Sequence, residues 1–213
     1  MKISKIVKIT ITSVLLLFFA FVSANADKKP QFVGSETCKE CHRKTTRSWG
    51  KTKMALAFEI LKPGERKEAK LKFKLDPQKD YTQEEKCLPC HTTGYGKPGG
   101  FVSAKETPLH LGVGCEACHG PGSLYNPIME IRGRIYKLDE LIEVGLIPQA
   151  MTTCRDCHNT DSPTFTKEAE AAFDADKSKE ASHKTVQLKY HLYTPGEKER
   201  LILEYNQGKE KTQ

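Results

Sequence analysis

Hydrophobic positions are concentrated at the start of the chain and then thin out. Lys2, Lys5 and Lys8 precede a mainly apolar run from Ile9 to Val22, and Ala24-Asn25-Ala26 follows it. A charged start, a short apolar stretch and a small-residue A-x-A site read as a cleaved export signal over residues 1–26. The run of fourteen residues is short for a bilayer, which needs about 20. The mature chain then begins at Asp27 and forms a single domain over 27–213. It lies outside the cytoplasmic membrane, in the periplasm.

Beyond the signal the periodicity is weak. A short extended lead runs from Pro30 to Gly34. Trp49, Leu56, Ala57, Phe58 and Leu61 recur at roughly helical spacing, so the pattern predicts a helix over Thr45 to Leu61, stopped by Lys62-Pro63-Gly64. Arg66 to Leu75 is charged and reads as a solvated stretch. Tyr81 to Lys86 reads as a short helix, Tyr136 to Val144 as another ended by Gly145, and Thr166 to Tyr193 as patchily helical up to Pro195-Gly196. Gly94 to Gly100 has neither the strand before it nor the helix after it that a phosphate loop requires. Its backbone is expected to pack close to a large planar group. The expected class is mainly α with little sheet.

One phrase recurs through this weak pattern. Cys-x-x-Cys-His occurs at Cys38–His42, Cys87–His91, Cys115–His119 and Cys154–His158, using all 8 cysteines. Two thiols at this spacing reach the two vinyl groups of one haem, and the histidine that follows turns its imidazole to the iron. Zinc pairs do not explain why a histidine follows every second cysteine, and a disulfide framework does not explain the identical spacing. The reading is four covalent c-type haems. They are attached through Cys38, Cys41, Cys87, Cys90, Cys115, Cys118, Cys154 and Cys157, with His42, His91, His119 and His158 as proximal ligands. Helices and long loops would wrap around them.

This reading changes the meaning of composition and charge. The formal net charge is +7; without the three signal lysines, 31 basic residues face 27 acidic ones, a net of +4. Eight propionates, set against four ferric porphyrin cores, bring the oxidised protein to about zero, so the basic balance gives no support for nucleic-acid binding. Only 38% of the chain is apolar, and the signal takes a large part of that. Such a chain is too poor in apolar residues to build a good core alone, so folding is expected to depend on haem attachment. No carboxylate pair stands out as an acid–base site.

Each iron has a second axial position to fill. Of 7 histidines, His110, His183 and His191 remain; of 4 methionines, Met54, Met129 and Met151 remain once Met1 leaves with the signal. His110 is expected at the surface and Met151 packed in the interior.

The chain resembles the tetrahaem cytochrome c-554 family of ammonia-oxidising bacteria. The resemblance covers nearly the whole mature chain. It is dense in Leu75-Asp76-Pro77 with Lys79-Asp80-Tyr81-Thr82-Gln83, and in Gly112-Val113-Gly114-Cys115-Glu116 with Cys118-His119-Gly120-Pro121-Gly122, and weaker after His158. It implies a mainly helical periplasmic electron carrier, not an enzyme, which accepts electrons from hydroxylamine oxidoreductase in nitrogen metabolism. It also implies that the first and third haems stack and cross-ligate, through residues twelve after the first proximal histidine and ten after the third. Here those positions are Met54 and Met129, where the family has histidine. The resemblance therefore assigns Met129 to the first haem and Met54 to the third. It assigns a C-terminal histidine, His183 or alternatively His191, to the fourth, and leaves the second iron without a distal ligand. Thioether ligation raises a haem's potential, which sets this pair above the family's usual pair. Partners are expected to be transient, charge-steered redox proteins. A rival reading is an enzyme that binds or reduces nitric oxide or a similar molecule at an open second haem. Another is a subunit tethered in a larger respiratory complex by a retained apolar segment.

Overall fold

The computed structural model describes residues 29–131, 136–148 and 152–184, with isolated positions at 196, 200, 203, 204 and 207. Residues 1–26, expected to be an export signal, together with Met151 and His191, lie outside the described residues. The elements are short: α1 Ser35–Lys39, α2 Arg43–Trp49, α3 Lys67–Lys72, α4 Leu88–His91, α5 Cys115–His119, α6 Tyr125–Met129, α7 Leu138–Glu143, α8 Thr152–Arg155, α9 Lys167–Ala171 and α10 Ala175–Glu180. Two 3-10 turns, Glu59–Leu61 and Pro108–His110, accompany them. Among the described residues the strand-like pairing is one antiparallel bridge, Thr92 with Leu111, so the mainly helical expectation holds.

The helix expected over Thr45 to Leu61 is broken. α2 ends at Trp49, turns occupy 50–58, and helical geometry returns only at Glu59–Leu61. Tertiary bonds draw this segment aside. The Trp49 indole donates to the Val113 carbonyl at 2.9 Å, and the Met54 carbonyl accepts from the Val113 amide at 2.9 Å. Both bonds lead into the third motif, so residues 49–58 serve as a strap across it. Periodicity within the segment could not register a partner 64 residues away.

Two further expectations are corrected. Tyr81 to Lys86 forms turns rather than a helix, and helicity begins with α4, inside the second motif. The stretch from Arg66 to Leu75 is not simply solvated, because α3 forms there and Lys70 is 6% exposed. The Lys70 ammonium donates to the Lys62 carbonyl at 2.7 Å and lies 5.2 Å from the Tyr81 ring centre. A buried ammonium is tolerated when its donors and charge are both answered.

Among the described residues apolar packing falls into two small clusters. Phe58, Leu61, Tyr81, Leu88 and Phe101 surround the second motif, with Cys87 and Leu111 against them. Tyr125, Tyr136 and Leu141 form the other, backed by Ile128, Met129, Val144 and Leu146. Phe32 of the extended lead packs against the glycine-rich loop. A Cβ at Gly94 would lie 2.7 Å from that ring, and the Phe32 amide donates to the Pro98 carbonyl at 3.1 Å.

Candidate haem centres

A single helical turn places residues i, i+3 and i+4 on one side. Each motif makes one. The His42 amide bonds the Cys38 carbonyl at 2.9 Å, α4 carries the second motif to His91, α5 spans the third completely, and the His158 amide bonds the Cys154 carbonyl at 3.0 Å. Both thiols and the imidazole therefore face one side four times over. No disulfide joins any of the eight cysteines. Among the described residues no group of three or more His, Cys, Asp or Glu side chains is gathered to hold a bare metal ion, as a zinc site requires. The donor set fits thioether attachment to a haem.

The imidazoles are prepared for the same use. His91 Nδ1 lies 2.6 Å from the Ala57 carbonyl, which fixes the tautomer and leaves Nε2 for a metal. Burial lowers the His91 and His158 values, and lowers His42 with help from the charge of His183. His119 is pushed down to about 4 by burial first, then by His183 and His42, against a hydrogen bond to the Ile147 backbone. All four are held as neutral imidazole, the form that ligates. The His158 ring stacks on Phe173 at 4.3 Å and 12°, with Phe165 edge-on at 5.2 Å and 79°. These phenylalanines were not singled out from the sequence. Their signal was two aromatic rings in an otherwise charged stretch.

The motifs approach one another in a definite order. α1 lies against α5, and the neighbouring Cys38 and Cys115 thiols shift one another, Cys115 lowered to about 7 and Cys38 pushed up. Cys118 is raised to about 11 by burial and then by the neighbouring Cys154, and α5 lies against α8. Cys90 and Cys157 repeat the first arrangement, with Cys90 lowered to about 7. The order in space is first, third, fourth, second.

The remaining candidates are distributed unevenly. Met129 ends α6, and its Tyr125–Tyr136 cluster adjoins the first motif. The side-chain amide of Asn126, on the same helix as Tyr125, donates to Thr37 Oγ1, next to Cys38, at 3.3 Å. Met54 lies on the strap bonded to Val113 beside the third motif. The structure does not bring His183 to His158. Its ring centre lies 6.3 Å from that of His119, and the Lys184 amide is anchored on Ser48 Oγ at 2.7 Å. His110, expected at the surface, is 6% exposed, with neither ring nitrogen hydrogen-bonded. Its backbone explains the burial, because the His110 carbonyl accepts from the Thr93 amide at 2.9 Å beside the Thr92–Leu111 bridge.

Glu116 was also missed as a site residue. It lies between the cysteines of the third motif, is 1% exposed, and its carboxylate accepts from the amides of Val33, Gly34 and Gly122 at 2.7–3.1 Å. It ties the extended lead to the third motif. An acidic residue inside Cys-x-x-Cys, with Gly120-Pro121-Gly122 soon after, was the available signal.

Residues 37–120 match the family described as cytochrome c554 and c-prime. Over 91 residues the chain is 50% identical to cytochrome c-554 of Nitrosomonas europaea, a stretch covering 43% of this chain and 39% of that relative's length. The solved structure of reduced cytochrome c554 from Nitrosomonas europaea superposes with a TM-score of 0.70 at 31% identity, covering 83% of this chain and 98% of that one. The chain belongs to the cytochrome c554 family, whose cofactor is covalent c-type haem.

Proposed function

We propose that this chain is an exported electron carrier with four haems, one on each Cys-x-x-Cys-His motif, working in the periplasm between transient redox partners. The carrying observation is the chain of approaches between motifs: α1 lies against α5, α5 lies against α8, and Cys157 Sγ lies 4.0 Å from the Pro89 carbonyl inside the second motif. Attachment points this close would hold the haems near one another, so that an electron entering at one could leave from another. A haem iron held between two axial ligands gains and loses an electron without forming a bond to substrate.

The protein's own part is positional. His42, His91, His119 and His158 supply the proximal imidazoles. The Ala57 carbonyl orients His91, and Phe165 with Phe173 fixes the plane of His158. Met129 would supply a thioether ligand to the haem of the first motif, a role supported by the hydrogen bond from Asn126 of its helix to Thr37, next to Cys38. Among the described residues no helix is long and apolar enough to cross a membrane.

Two measurements test this. Mass of the native protein should give a chain beginning at Asp27 plus four haems. A reductive titration should reduce all four, with rates between redox proteins that fall as salt rises. A mass short of four haems, or a haem that stays oxidised while the others reduce, would overturn the relay. A native mass that retains residues 1–26 would instead favour a tethered subunit.

A further inference from the structure

The ring of His183 stands 6.3 Å from that of His119, with the planes inclined by 31°. This is not a stacked contact, as the same fold shows with His158 and Phe173 at 4.3 Å and 12°. Nor is it edge-to-face, as with His158 and Phe165 at 79°. It does match another geometry. Two imidazoles on opposite sides of one metal have ring centres about 6 Å apart, because each metal–nitrogen bond is about 2 Å and each nitrogen lies about 1 Å from its ring centre.

The surroundings agree. The His119 ring is engaged with the Ile147 backbone on one side, as a proximal ligand's second nitrogen should be. His183 is held from behind by the bond from the Lys184 amide to Ser48 Oγ, on the helix that begins directly after His42. Met54, by contrast, is fixed through its main chain, its carbonyl accepting from the Ala57 and Val113 amides at 3.1 and 2.9 Å.

We infer that His183, not Met54, is the axial group opposite His119 on the third haem. The assignment rests on the four-haem reading above and sharpens it. The cross-ligated pair becomes asymmetric: thioether at the first haem through Met129, imidazole at the third through His183. Because a thioether raises the potential relative to imidazole, electrons on this pair should rest on the first haem. Met54 is then released to fill the interior of the strap, as methionine does well.

The test is near-infrared magnetic circular dichroism with electron paramagnetic resonance on the oxidised holoprotein and two variants, each with its haem count checked by mass. The wild type should show the thioether-to-iron band of one His/Met haem, and Met54→Leu should leave it unchanged. His183→Gly should lose one bis-imidazole low-spin signal and gain one high-spin ferric signal, which added imidazole reverses. Two His/Met haems in the wild type, or loss of one in Met54→Leu, would overturn the assignment even if His183→Gly does not accumulate. So would an unchanged low-spin count in His183→Gly. A wild-type mass lacking haem would overturn the four-haem reading, and the His183 assignment falls with it only if the third motif is the bare one.

Discussion

Glu116 is the residue on which two stretches of backbone converge. Its carboxylate, on a residue 1% exposed, takes the amides of Val33, Gly34 and Gly122, the last two through buried bonds. Charge-assisted bonds of this kind are stronger than neutral ones, and a buried donor left unmade costs about 1–3 kcal/mol. Glu116→Gln keeps the shape but turns an NH2 toward one of these donors. The variant should lose about 2–4 kcal/mol, seen as a lower urea midpoint at unchanged slope. A loss below about 1 kcal/mol would show that the carboxylate is not what ties the lead to the third motif. Its position inside the motif was plain in the sequence, but its partners in the lead, Gly34 and Val33, are 82 and 83 residues away, and no local pattern records them. His110 shows the same limit. A histidine beside Leu109 and Leu111 carries no local mark of burial; only the pairing of Thr93 with its carbonyl puts it inside.

The elements divide by what determines them. The four motif turns were legible because their spacing is covalent chemistry, and a thiol pair with its histidine has to occupy one turn. The strap over residues 49–58 was not, since Leu56, Ala57 and Phe58 satisfy helical spacing while the Val113 bonds and Gly112 dictate another course. Gly112 has φ +75°, and a Cβ there would run into the Ala55 carbonyl oxygen. Gly112→Ala should therefore push the strap away from the third motif at a cost of about 2–4 kcal/mol, combining left-handed strain with the clash. Because Ala57 orients His91 from the same strap, the variant should also alter the spectrum of the haem proposed at Cys87 and Cys90. Loss of stability with an unchanged spectrum would mean that strap and imidazole are not coupled.

At the scale of the molecule, the question is what makes these pieces one fold. The longest described helix is the 7-residue α2, whereas an isolated helix needs about 12–15 residues to be even marginal in water. The apolar clusters are centred on five and three buried residues, and each abuts a haem motif. Four covalent porphyrins would give both clusters a common apolar partner and would close the loops between motifs, lowering the entropy of the unfolded chain. The composition pointed this way, and the division of the core into two small clusters gives the physical reason. A chain with all eight cysteines replaced by alanine, exported and purified, should show no cooperative thermal transition by circular dichroism and rapid amide exchange throughout. Melting as a single sharp unit would mean that the polypeptide holds the frame itself. The haems would then be passengers in a preformed fold rather than its interior.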